Sequence, residues 1–162
     1  LLQMGQLKEF ILTVVNENET PNYDRTKKGQ SSNYLRLLGK ACLERNKIRW
    51  AKSLTERSLA LLPTDKHGIT LYIDILKRLN ELEVAIQYAN GAVKLVPNEL
   101  DIRLALIELY KMTRNFSNVE IEINNAINDF GEQPELLRLK KQNNEEFVSS
   151  WKKQPELMKV GD

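Results

Sequence analysis

Between residues 32 and 133 the apolar positions fall in short stripes, three and four residues apart, separated by polar breaks. Leu35, Leu38, Cys42 and Leu43 make one stripe, and Ile69, Tyr72, Ile73 and Leu76 make another. That spacing puts one apolar face on an α-helix. A polar break follows each stripe, at Arg45-Asn46-Lys47 and Leu79-Asn80-Glu81, with Arg114-Asn115 in the same role further on. A second helical pattern then runs through Ala51, Leu54, Ser58, Leu59 and Leu61, and again through Ala85, Ile86, Ala89, Ala92, Val93 and Leu95. Pro63 and Pro97 cannot continue a helix, so they mark its stop.

The two prolines stand 34 residues apart, at 63 and 97. Other positions keep the same step: Ala51 with Ala85 and Val119, Ser58 with Ala92 and Ala126, and Gly131 where a third proline would fall. The first helices match as well, since Leu38-Gly39 aligns with Tyr72-Ile73 and Leu106-Ile107, and Cys42 with Leu76 and Tyr110. Three units are therefore expected, at 32–65, 66–99 and 100–133. Within each, two antiparallel helices approach closely only where side chains are small, as at Gly39, Ala51, Ala85 and Ala92. One hairpin cannot bury its own apolar faces, whereas stacked hairpins share a core. A bulky side chain at Ala85 is expected to cost ~1–3 kcal/mol by overpacking.

This pattern resembles the tetratricopeptide repeat. Leu35, Leu38, Gly39, Ala51 and Pro63 fit the family pattern in the first unit, Tyr72, Ala85, Ala92 and Pro97 in the second, and Leu106, Tyr110 and Ala126 in the third. Cys42, Thr55, Val119 and Gly131 depart from it. The resemblance implies an all-α fold, a right-handed α-solenoid of helix-turn-helix repeats with capping helices at both ends. It also implies that the first helix of each repeat lines a concave side where peptides lie. The peptide-binding row so implied is Asn33, Arg36 and Lys40, Thr70, Asp74 and Lys77, and Leu104, Glu108 and Lys111, with His67, Asp101 and Leu43 at neighbouring steps. One family variant clamps the carboxylates of chaperone tails with Lys/Asn/Asn/Lys/Arg. Those positions read Arg36, Lys40, Leu71, Asp101 and Ala105 here, so that ligand is not expected.

Residues 1–15 carry Leu2, Met4, Leu7, Phe10, Ile11, Val14 and Val15 in a helical stripe, expected to cap the first repeat. Residues 16–31 are polar and are read as a loop, with Ser31 or Ser32 capping the next helix. Pro134 opens a C-terminal capping helix to about Trp151, with Trp151 folded back on the third repeat and a tail over 152–162.

Composition narrows the function. The 162 residues are 41% hydrophobic, enough for one folded core, and 28% charged, with Lys plus Arg exceeding Asp plus Glu by 24 to 22. The signs are interspersed, so no basic field draws the chain to nucleic acid or anionic lipid. The Arg25, Lys27, Lys28 cluster reads as a solvated loop. A groove of mixed charge and a 34-residue period also argue against an RNA-reading repeat. Cys42 is the one cysteine, so no intrachain disulfide forms and a reducing, cytoplasmic setting is expected. No apolar run nears the ~20 residues that span a bilayer.

Catalysis and metal binding find no foothold. His67 is the only histidine, Cys42 reads as a small core residue, and nucleotide loops and zinc or calcium spacings are absent. No catalytic residue, cofactor or metal is expected. The expected role is an adaptor that binds a protein or peptide segment on its concave face. Two alternatives stay open: a docking or assembly part of a larger enzyme, such as a bacterial polysaccharide-synthesis protein, and a small export chaperone. The start at Leu1 rather than Met motivates fusion to a larger chain, and self-association stays open.

Overall fold

The computed structural model describes residues 27–153, with side chains from Ser31 onward. The expected capping helix at 1–15, residues 16–26 of the loop expected over 16–31, and residues 154–162 of the tail expected over 152–162 lie outside the described residues. Among the described residues seven helices follow in order: α1 (Lys27–Glu44), α2 (Ile48–Leu61), α3 (Lys66–Arg78), α4 (Leu82–Leu95), α5 (Leu100–Met112), α6 (Phe116–Phe130) and α7 (Pro134–Lys152). They divide into two compact units between Pro97 and Asn98. In the first, α1 packs on α2, α2 on α3 and α3 on α4, and α1 also touches α3. In the second, α5 packs on α6 and α6 on α7.

The 34-residue step is visible in the helix starts. It separates Ile48, Leu82 and Phe116, and again Lys66, Leu100 and Pro134. The hairpin turns repeat with the same step. Asn46, Asn80 and Arg114 take left-handed backbone, with φ of 59°, 57° and 56°. The next amide closes each helix end: Lys47 N donates to Cys42 O at 2.8 Å, Glu81 N to Leu76 O at 2.9 Å and Asn115 N to Tyr110 O at 3.0 Å. This six-to-one bond satisfies a carbonyl that the helix end leaves without a partner. Asparagine tolerates left-handed backbone better than most residues, which explains the first two turns. In the third, Arg114 takes that place and the following Asn115 caps α6, its Oδ1 accepting from Asn118 N at 3.2 Å. Gly131, with φ of 82°, ends α6 where proline follows α2 and α4.

Small residues set the helix spacing, as their pattern predicts. Ala51, Ala85, Ala89, Ala92 and Ala126 are all buried. The core of the first unit gathers Leu38, Ala41, Cys42, Leu43, Ala51, Leu54 and Ile75, with Leu35, Ile48 and Trp50 packed against it. Leu43 therefore belongs to the core rather than to the inner row. In the second unit Ile102, Leu106, Leu109, Val119, Ile123 and Leu136 are fully buried.

Two expectations at the ends are corrected. α1 begins at Lys27, so residues 27–31 are helical rather than loop, and Ser32 lies inside the helix instead of capping it. The reason is tertiary. Ser32 Oγ donates to Ser58 O at 2.9 Å, while Ser58 Oγ donates to Ser32 O at 2.7 Å. This reciprocal pair bonds both hydroxyls in a buried setting only if residue 32 is already in helical register. At the other end the Trp151 ring meets Phe147 at 6.0 Å, and Phe147 meets Phe116 of α6 at 5.9 Å.

Candidate functional site

The expected binding row divides between the two units, and each part stands in its own surroundings. On α1, Asn33 is buried and its Oδ1 accepts from Arg36 Nη2 at 2.6 Å. Arg36 Nε lies 3.3 Å from Asp65 Oδ2, and Asp65 Oδ1 caps α3 by accepting from His67 N at 3.2 Å. Asn33 and Arg36 thus pin α1 to the start of α3. Lys40 is exposed on the same helix. On α3, Thr70 Oγ1 bonds back to Lys66 O and His67 O, and Asp74 pairs with Arg78 at 3.6 Å one turn on. Lys77 is half-buried at the end of that row.

In the second unit three expected residues converge. Leu104, Glu108 and Lys111 of α5 line one cleft of about 380 Å³ with Glu135 and Leu139 of α7. Ala105 and Ile107 complete an apolar floor, and Asp101 joins Glu108, Lys111 and Glu135 at a charged rim. Lys111 Nζ donates to Gln142 Oε1 on α7 at 3.2 Å, which orients the lysine across the cleft wall. An apolar floor with a few placed charges is the usual make-up of a ligand groove.

A second concavity escaped the sequence pattern. In the first unit Leu59, Ala60, Pro63, Tyr72, Tyr88 and Leu95 line a cavity of about 530 Å³ between α2, α3 and α4. It lies on the opposite face of α3 from Thr70 and Asp74, since two residues turn a helix by ~200°. Glu56, Gln87, Gly91 and Ala92 complete the wall. Tyr72 and Tyr88 meet edge to face, 4.8 Å between centroids and 82° between planes. The Tyr72 hydroxyl donates to Glu56 Oε1 at 2.9 Å. Burial, and then that bond to Glu56, push the Tyr72 phenol well above its usual range. Burial, with the Asp65 carboxylate adding to it, pushes Tyr88 up to about 12. Both rings stay neutral at ordinary pH. The available sequence signal was the helix-interior Gly91, beside which an added Cβ would meet nothing within 4 Å.

Cys42 is fully buried, and burial pushes its thiol up to about 11, against a weaker opposite pull from Arg45 and Lys47. Such a thiol is a poor nucleophile. His67 is exposed at the start of α3. Among the described residues no three His, Cys, Asp or Glu side chains gather as metal ligands, and no helix is long and apolar enough to cross a membrane.

No family model matches the chain, and no curated protein matches it in sequence. Solved structures do match. MamA AMB-1 aligns with a TM-score of 0.62 and 15% identity over 97% of this chain and 89% of that one. MamA MSR-1 aligns with a TM-score of 0.60 and 15% identity over 97% and 86%. At that identity the likeness speaks for the fold alone: helices paired as tetratricopeptide repeats.

Proposed function

We propose that this chain is a non-catalytic interaction module that grips a peptide or short helix, with the α5–α7 cleft as its principal contact. The fold class is a protein-binding one, and it offers protein partners rather than a reaction. The observation that carries the reading is the meeting of Leu104, Glu108 and Lys111 with Leu139 and Glu135 in one cleft. An apolar anchor on the ligand buries against Leu104 and Leu139, and the rim charges set its register. The volume of about 380 Å³ suits one or two ligand side chains rather than a whole domain.

Affinity capture from the source organism's lysate tests this, with the wild-type chain beside the pair Leu104→Asp and Glu108→Lys. Both residues are partly or fully exposed, so the pair leaves the core intact. Loss of captured proteins from the double variant, with unchanged helical circular dichroism, is the expected result. Retention of every partner would overturn the reading. Lys40→Glu serves as the comparison in the first unit, where the matching row is largely occupied by contacts within α1 and α3.

A further inference from the structure

The cavity between α2, α3 and α4 has a chemistry of its own, distinct from the α5–α7 cleft. Its walls are apolar at Leu59, Ala60, Pro63 and Leu95, and two neutral tyrosine rings face into it. Among the described residues Glu56 is the one charged side chain lining it, and no Lys or Arg contributes to the wall. The neighbouring acids already have cations: Asp65 is 3.3 Å from Arg36, and Glu81 is 3.1 Å from Lys52. Among the described residues Glu56 accepts one bond, from the Tyr72 hydroxyl. A carboxylate has room for about four, so most of its accepting capacity is left for a ligand.

From this charge complementarity we propose that the cavity takes an arginine side chain presented by an otherwise apolar protein segment. Arginine fits better than lysine for a geometric reason. Its planar guanidinium lies flat on a tyrosine ring while its N–H edge points at a carboxylate, and it is less strongly hydrated than an ammonium. Tyr72 and Glu56 are joined by a hydrogen bond, so the ring and the carboxylate are held side by side, as that double contact needs. The stem of the arginine lies along Leu59 and Pro63, an apolar run that suits a methylene chain. At about 530 Å³ the cavity exceeds what one arginine fills, so an apolar neighbour enters with it. Gly91 leaves the space for that neighbour, because no Cβ projects there.

The test uses the full chain and three capped pentapeptides: Leu-Ala-Arg-Leu-Ala and its Gln and Lys twins. Binding is read from the ring resonances of Tyr72 and Tyr88 and from titrated Kd. The expected result is a shift of both rings by the arginine peptide, with the Gln twin at least about tenfold weaker and the Lys twin between them. Glu56→Gln removes the preference for arginine over Gln. Gly91→Leu fills the cavity and abolishes the ring shifts without lowering thermal stability, since its added atoms meet no neighbour at Cβ and glycine is a poor helix former. Equal affinity for the arginine and Gln peptides would overturn the proposal. So would wild-type binding by Gly91→Leu, or the absence of any ring shift at ~1 mM peptide. If instead the chain forms a concentration-dependent dimer that Gly91→Leu disperses, the occupant is a second copy and the proposal fails.

Discussion

Gly39 of α1 lies so close to α2 that a Cβ built on it would sit 2.6 Å from the Thr55 hydroxyl oxygen and 3.3 Å from the Ala51 carbonyl oxygen. The hydroxyl is fully buried and the carbonyl is backbone, so neither retreats easily. Gly39→Ala therefore lowers stability. Overpacking costs ~1–3 kcal/mol, offset by ~1 kcal/mol of better helix propensity, for a net loss of up to about 2 kcal/mol. Urea unfolding checks the sign. Adding Thr55→Ala, which removes the nearer oxygen, recovers part of the loss, and the double-mutant cycle reports the coupling.

Asp65 serves two elements at once. One carboxylate oxygen caps α3 and the other faces Arg36 on α1. Asp65→Asn keeps an N-cap acceptor but loses the ion pair, and costs ~0.5–1 kcal/mol. Asp65→Ala loses both and costs ~1–3 kcal/mol. If the two variants unfold at the same urea midpoint, the cap contributes nothing.

Arg103 is 7% exposed in α5, at the register where Ile69 is fully buried one repeat earlier. It pairs with Asp129 on α6 and lies 5.5 Å from the centre of the Phe130 ring. A buried ion pair seldom outperforms an apolar replacement, but a buried charge without its partner is costly. Arg103→Met is accordingly near neutral or stabilising. Asp129→Ala costs ~1–2 kcal/mol, discounted because Asp129 is about half exposed. Thermal unfolding of the two variants should rank them in that order.

Cys42 supplies a pH dependence with a definite sign. Its thiol is raised from 9.0 to about 11 on folding, so the folded state favours the neutral form. The stabilisation is complete below pH 9.0 and is lost as pH rises through about 11, an effect of ~1–3 kcal/mol. Cys42→Ala removes that contribution, so its urea midpoint falls less steeply over this window than that of the wild type. Thiol labelling of the native chain at neutral pH is slow and accelerates on unfolding.

Much of the fold was legible because helix pairing follows local rules. The 34-residue step, the small residues at Ala51, Ala85 and Ala92, and the breaks at Asn46 and Asn80 reappear as helix starts, buried contacts and left-handed turns. The candidate site was legible only in part. Leu104, Glu108 and Lys111 do share a cleft, but Arg36 proved to be engaged by Asp65, and Leu43 by the core. A charged residue in a helical stripe carries no mark of whether its partner is a ligand or the next helix.

Periodicity and side-chain size are written along the chain, and they determined that it forms paired helices closing on glycine and alanine. Long-range geometry settled the rest: Ser32 extends α1 by meeting Ser58, and Tyr72 and Tyr88 enclose a cavity on the face opposite the expected row. Those outcomes depend on residues 26 and 16 positions apart coming into contact. Contact at that range is chosen by the energy of the whole packed unit, which no local pattern encodes.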